Sequence, residues 1–356
     1  MAVDSEVALT SLSCKTCADK RSRMAQLRRD PITREWVNIT TERGKRPSDF
    51  HHREEARLVP ARDYSQCPFC PGNETMSGQD LLRYGTDRSW SLRVVPNKFA
   101  AFSGSGQPAR IRHGLYESMP AVGAHEVVIE TPHHNTSLSR LDVAQVNLVI
   151  HSYRERYLAL RRDARLKYIL IFRNHGKVAG ASIKHAHSQI IATPVIPHVA
   201  RARIEGLQRY DEERHACAYC DMIEQELDAG ERLVVQNSAF VALAPYAARH
   251  PFETWILPKE RNAQFVSIDE AQMSELAAIL KETLLRLDLC LGDPPYNFML
   301  LTTDFSEQFH WHIEIIPRLS VAAGFELGTG IYLNTVAPEQ AATFLRTVNL
   351  PKQAAC

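Results

Sequence analysis

The densest cluster of reactive residue types in this sequence is His185-Ala186-His187-Ser188-Gln189. On a strand, residues two apart share a face, so His185, His187 and Gln189 would stand in one row. Such a row suits one histidine to bind a metal and another to act as nucleophile beside an amide. A polar strand face lining a wet groove is the bland alternative. Neutral imidazole attacks phosphorus near pH 7, and fixed donors stabilise the charge that builds on the non-bridging oxygens. Gln189 offers an amide and Ser182 a hydroxyl, while small residues around Gly176 and Gly180 permit close backbone approach to a phosphate. Upstream, Glu42-Arg43-Gly44-Lys45-Arg46-Pro47 is either a charged surface turn or a set of guanidinium forks for phosphate.

A second kind of chemistry is metal binding. Six of the eight cysteines fall into C-x-x-C pairs: Cys14/Cys17, Cys67/Cys70 and Cys217/Cys220. In Cys67-Pro-Phe-Cys70-Pro-Gly-Asn, two thiolates on a turn-rich knuckle can reach one zinc ion. His133 or His134, together with His185, are candidates for the remaining corners. A redox pair would need a thioredoxin-like context, which is missing. Cys217, Cys220 and His310 form a second candidate set. Arg261 stands where a repeat would put the counterpart of His134, and it stays protonated. His250, His312 or Glu260 could substitute there, or the site could be empty. The Cys14/Cys17 pair lies in a polar extension without histidine partners, and Cys290 and Cys356 are single.

The elements that must position these groups occur twice. Both His125–Ile150 and Phe252–Leu280 show a β-branched run, a polar turn and then Asp-x-Ala-Gln opening a helix, at Asp142/Gln145 and Asp269/Gln272. Aspartate is a good N-cap for such helices. C-x-x-C precedes each unit, a strand-like run follows each helix (from Lys167 and from Tyr296), and each half closes on His-x-His. The shared order predicts a duplicated α+β fold with a mainly antiparallel sheet. Residues 1–27 read as a polar N-terminal extension, 28–197 as the first half with the catalytic strand, and 198–356 as a connector and second half. No flexible linker separates the halves, so a shared sheet or tight interface is expected.

Composition sets the class of partner. The 356 residues are 44% hydrophobic and 23% charged, and 42 basic against 41 acidic residues leave a net charge of +1. That balance gives no electrostatic reason to expect nucleic acid or an acidic membrane. No apolar run has the length of a membrane span, and the N-terminus lacks a signal-peptide core. A cytoplasmic protein is expected, in which paired cysteines bind zinc rather than form disulfides.

Together, RRDPITREWVNI, ERGKRP, CPFCPGNE, PNKFA, HEVVIETPHH, HAHSQ, HWHIEIIPR and GFELGTGIYLN resemble the galactose-1-phosphate uridylyltransferase branch of the histidine-triad superfamily. The resemblance covers nearly the whole chain from about Arg28. It implies two histidine-triad-like halves around one sheet, a homodimer, and ping-pong exchange of a nucleotidyl group between a nucleotide-sugar and a sugar 1-phosphate. By motif position it makes His187 the nucleophile and Gln189 the phosphate-binding amide. It further implies zinc ligation by Cys67, Cys70, His134 and His185, and substrate contacts from Arg43, Arg46, Asn97, Asn174 and Ser182. Phe325 and Glu326 match the sugar-contacting pair. Ala186 and Ser188 replace the proline and glycine of the best-known members, Lys98 an acidic ribose contact, and Tyr332 a sugar-binding glutamine. These departures approach a sister group, the ADP-glucose phosphorylases. The first reading is UDP-glucose–hexose-1-phosphate uridylyltransferase, the alternative ADP-glucose:phosphate adenylyltransferase. A non-catalytic, zinc-stabilised nucleotide-binding protein is the remote third.

Overall fold

The structure is a computed structural model, which describes residues 25–41, 50, 64–87, 89–104 and 106–351. Its main element is a ten-stranded sheet. Its strands are numbered here in chain order: β1 (Leu82–Gly85), β2 (Trp90–Pro96), β3 (Ala124–Ile129), β4 (Tyr168–His175) and β5 (His187–Thr193). The second half contributes β6 (Leu233–Gln236), β7 (Phe240–Leu243), β8 (Thr254–Pro258), β9 (Tyr296–Leu301) and β10 (His312–Pro317). All neighbours are antiparallel, in the order β1-β2-β3-β5-β4-β9-β10-β8-β7-β6. Each half thus repeats one five-strand order, and β4 pairs with β9 along the seam from Tyr296↔His175 to Leu300↔Ile171. The protein has the expected α+β architecture of duplicated histidine-triad-like halves, sharing one sheet.

Each half lays one long helix on the same side of that sheet. Helix α1 (Val143–Leu160) begins where the Asp142 carboxylate accepts from the Gln145 amide at 2.7 Å. After α2 (His198–Arg214) and α3 (Ala218–Ala229) comes α4 (Glu270–Leu291), capped reciprocally by Asp269 and Gln272. Helices α1 and α4 pack together over a single core that runs from Val128 and Ile190 to Ile256, Leu284 and Ile313. On the helix side of the sheet the two halves therefore share one hydrophobic interior.

Two expectations shift in detail. Val128↔Ser188 in the first half corresponds to Ile256↔Ile313 in the second. This puts Thr254, not Glu253, in the place of Glu126, because one residue of offset flips a side chain to the other face. Glu126 accordingly faces the helices and holds Arg156, whereas Glu253 faces away and accepts from Trp255. The segment Gln26–Arg29 and Trp36–Ile39, counted with the first half by chain order, packs on the second. It forms a small sheet with Tyr332–Asn334, and Ile32 joins the cluster of Leu207, Tyr219 and Trp255. No helix among the described residues is long and apolar enough to cross a membrane.

Candidate active site

The face opposite the helices carries the predicted row. His187 opens β5 and is 7% exposed. Its Nδ1–H donates to the His185 carbonyl at 2.8 Å, which leaves the lone pair on Nε2. Burial lowers its pKa below the ordinary histidine value, so the ring is neutral at pH 7. A neutral ring with a fixed tautomer and one free nitrogen is what attack on phosphorus requires.

Cross-strand pairing builds the surroundings. Gln189 stands opposite Phe172, and continuing that register places Asn174 opposite His187. The Asn297 amide donates to Asn174 Oδ1 at 2.8 Å across the seam, which turns the Asn174 amide toward the loop of Gly176 and Gly180. Gly176 sits at φ +79°, where an added Cβ would lie 2.9 Å from Pro295, so the loop can press against the second half only as glycine. On the same face, a cavity of about 310 Å³ has Leu170, Phe172, Ile191 and Met299 among its walls, with Asn174 and Asn297.

One residue of the site is not singled out by the sequence pattern, although it lies within the HEVVIETPHH motif. His125, on β3, places Nε2 2.7 Å from Gln189 Oε1, and the Asn97 side-chain amide lies beside the same ring. The Ala101 backbone N–H donates to His125 Nδ1, so Nε2 bears the proton and donates to Gln189. Gln189 is thereby oriented with its NH₂ group available to an anion. His125 is the second residue of β3 and shares a face with Val127 and Ile129, which pair with Gln189 and His187, a spacing that could have marked it as facing the His187 side.

The metal-binding set closes beside His187. Ligand atoms of Cys67, Cys70, His134 and His185 all lie within 4.8 Å of one another and could hold a metal ion. Cys70 Sγ is 3.2 Å from His134 Nδ1 and 3.5 Å from His185 Nδ1, and Cys67 Sγ is 3.7 Å from the latter. A tetrahedral zinc with ordinary S and N bond lengths has S···N edges of roughly 3.5 Å. His185 Nε2–H donates to the Thr131 carbonyl at 2.7 Å, aiming Nδ1 at the thiols as metal-bound imidazoles usually require. Burial lowers the His185 pKa to about 4, and burial beside Cys67 pushes Cys70 up to about 12. A thiolate here therefore needs a cation beside it. The Phe69 ring, between the two cysteines, lies 6.1 Å from His185 and 5.3 Å from His187 and ties the knuckle to the start of β5.

The remaining expected residues fall in different places. Ser182 lies exposed on the stretch leading into β5, its hydroxyl without a hydrogen-bond partner among the described residues. Arg43 and Arg46, like Cys14 and Cys17, lie outside the described residues. Phe325 and Glu326 sit on the exposed helix Gly324–Thr329, on the second half's side; among the described residues no hydrogen bond, ion pair or ring contact joins them to the His187 group. In the second cluster, Cys217, Cys220 and His310 gather, with Cys220 Sγ 4.0 Å from His310 Nδ1. Arg261 acts electrostatically on Cys220 and donates to the Glu307 carbonyl.

Residues 15–197 match the galactose-1-phosphate uridyl transferase N-terminal domain, and residues 123–349 match a domain of unknown function, DUF4921. The chain is 36% identical over 334 residues to an ADP-glucose phosphorylase of Arabidopsis thaliana, covering 91% of this chain and 93% of that protein. It is 30% identical over 336 residues to a galactose-1-phosphate uridylyltransferase of Thermotoga maritima, covering 91% and 98%. The structure of an Arabidopsis thaliana ADP-glucose phosphorylase with bound ADP-glucose superposes with a TM-score of 0.79 at 34% identity, over 92% of this chain and all of that one. A uridylyltransferase structure gives 0.71 at 29% identity, over 91% and 97%. The protein belongs to the galactose-1-phosphate uridylyltransferase family of nucleotidyltransferases.

Proposed function

We propose that this protein transfers a nucleotidyl group through a covalent bond to His187, and that its donor is ADP-glucose with inorganic phosphate as acceptor. The open Nε2 of a neutral His187, beside an oriented Gln189, carries the reaction type. In the first step Nε2 forms a bond to the α-phosphorus while the bond to the leaving glucose 1-phosphate oxygen breaks. In the second, a phosphate oxygen attacks the same phosphorus from the opposite side, the P–N bond breaks, and ADP leaves a neutral imidazole. Gln189 and Asn174 donate to the non-bridging oxygens, and Arg43, Arg46 and Ser182 complete the phosphate contacts. Asn97 serves the nucleoside.

The greater identity to the plant ADP-glucose phosphorylase supports this donor, as do Lys98 and Tyr332, which stand in place of the acidic ribose contact and the sugar-binding glutamine noted in the sequence. The second reading is UDP-glucose–hexose-1-phosphate uridylyltransferase, the first expectation from sequence, and the Thermotoga relative favours it. Phe325 and Glu326 then serve the hexose, from the neighbouring copy of a homodimer. The protein works in the cytoplasm. Cys67, Cys70, His134 and His185 fit zinc as a donor set, and a zinc ion held there would brace the strand that begins at His187.

A donor and acceptor panel tests the substrate. With ADP-glucose and phosphate, ADP and glucose 1-phosphate should appear; with UDP-glucose and galactose 1-phosphate, turnover should be at least about tenfold slower, the scale of a single unmatched buried hydrogen bond. The reverse ranking restores the uridylyltransferase reading.

A further inference from the structure

Beneath the catalytic strand, on the helix side, lies a buried polar cluster. Glu130 is 0% and Arg173 2% exposed. Arg173 Nε donates to Glu130 at 3.0 Å, and its Nη1 donates to the Tyr296 phenol at 2.8 Å. The Ser188 hydroxyl donates to Glu130, so the Tyr153 hydroxyl, from α1, donates to Ser188. Three of these residues adjoin a site residue in the chain. Ser188 separates His187 from Gln189, Arg173 precedes Asn174, and Glu130 precedes Thr131, whose carbonyl orients His185. The cluster also spans three neighbouring strands, because the Glu130 amide donates to the Ala186 carbonyl and Arg173 lies on β4.

The second half is an internal control. Leu300 and Ile256 both pair with Ile313, as Arg173 and Val128 flank Ser188. Two residues beyond Ile256 on the same face is Pro258, in the place of Glu130. Leu280 follows its cap Asp269 by the interval that separates Tyr153 from Asp142. So Glu130, Tyr153, Arg173 and Ser188 correspond to Pro258, Leu280, Leu300 and Ile313. The same strand pairing is built there with no polar atom in any of the four side chains, and the chains diverge only at Pro258, whose carbonyl receives His310 as that of Thr131, one residue past Glu130, receives His185. Since a buried ion pair is often replaceable by apolar residues at no loss of stability, the fold alone does not demand this cluster.

We propose that Glu130, Arg173, Ser188 and Tyr153 are positioning residues: they clamp β3, β5 and β4 from below so that His187, Gln189 and Asn174 keep the spacing an in-line attack needs. The proposal rests on the reading of His187 as nucleophile. Small misplacements of reacting groups are costly, on the order of a hundredfold in rate for about 1 Å.

The test is single-turnover formation of the nucleotidyl-protein adduct from radiolabelled ADP-glucose or UDP-glucose, whichever the wild type uses, alongside donor affinity, metal content and thermal midpoint. Ser188→Ala removes the link to the strand and leaves the ion pair intact. It should slow adduct formation about tenfold, with donor Kd and metal unchanged, and Ser188→Thr should restore much of the rate. Replacing Glu130, Tyr153 and Arg173 by Leu and Ser188 by Ile should give a folded, metal-bearing protein that labels about a hundredfold more slowly. Wild-type labelling rates in Ser188→Ala overturn the clamp, and so does a loss of rate that only follows the loss of folded protein. Labelling of His187→Asn at the wild-type rate would instead remove the underlying reading, whatever Ser188→Ala does.

Discussion

His187 and His312 occupy the same place in the two halves, and their rings are held alike. Each Nδ1 donates to the carbonyl two residues back, at 2.8 and 2.9 Å, and each preceding histidine donates from Nε2 to a carbonyl, of Thr131 or Pro258, at 2.7 Å. What differs is the far side of the ring. His187 Nε2 faces a site with Gln189 and His125 beside it. His312 is 0% exposed, and its Nε2 lies 3.2 Å from Arg203 Nη1 on α2. Glu314 stands at the position of Gln189 and takes Arg203 Nη2 at 2.7 Å, with Arg249 on its other oxygen. Tyr219, Trp255 and Phe309 surround the ring. The duplicated scaffold therefore fixes an imidazole twice, and only the residues packed against it decide whether its second nitrogen is left open or faces an arginine. Retaining His-x-His is not the same as retaining a site.

Substituting each histidine in turn is the most direct way to break this comparison. His187→Asn should reduce transfer by more than about a thousandfold while leaving the fold in place, because in the proposed reaction the lost group bonds to phosphorus. His312→Asn should leave labelling at the wild-type level and lower stability by about 1–3 kcal/mol, the cost of an unpaired buried polar group. Adduct stoichiometry and denaturant melts on both variants decide it. Transfer lost in His312→Asn, with the protein folded, would make the second half a working site.

The two C-x-x-C clusters extend the contrast. Cys67→Ser should release the metal and cost roughly 3–5 kcal/mol, since four protein ligands close that site. Cys217→Ser should cost less than about 1 kcal/mol, because the second cluster has three ligands and a nearby guanidinium that cannot ligate. Arg261→His sharpens the point: metal per chain, by elemental analysis, should rise from about one to about two as a fourth donor appears. If wild type already carries about two, a non-protein ligand completes the second site beside Arg261.

Much of this was legible because it is local. Asp-x-Ala-Gln marks a helix start wherever it occurs, and Asp142 and Asp269 both cap. The spacing of His185, His187 and Gln189 puts them on one face once the strand is recognised, and C-x-x-C brings its own two thiolates together. The rest depends on register and on contacts between distant segments. A single residue of offset moves Glu253 to the face opposite Glu126, and spacing within one strand does not fix that offset. Arg203 blocks His312 across more than a hundred residues, and the N-terminal Ile32 packs on the second half. Residues such as Arg173 and Glu130 read in sequence as ordinary charges on strands; only the three-dimensional pairing shows them buried against each other.

The smallest expected effect concerns the partner of Gln189, where the halves differ by one proton donor. In the first half His125 donates to Gln189 Oε1, and in the second the corresponding position is Glu253, which cannot donate when ionised. A free glutamine amide can present either its oxygen or its nitrogen to a phosphate, and the oxygen would repel it. His125 removes that choice by occupying the oxygen. His125→Phe keeps a ring on β3 but drops the donor, so Gln189 should spend part of its time in the wrong orientation. One neutral hydrogen bond is worth about 0.5–1.5 kcal/mol, or roughly two- to tenfold. Because the oxyanion charge grows toward the transition state, the loss should appear mainly in the rate of adduct formation and little in donor affinity. His125→Gln, which can still donate from its amide, should recover part of the rate. An equal loss in the Gln189→Ala background would show that His125 acts on substrate by another route, since there would be no amide left for it to orient.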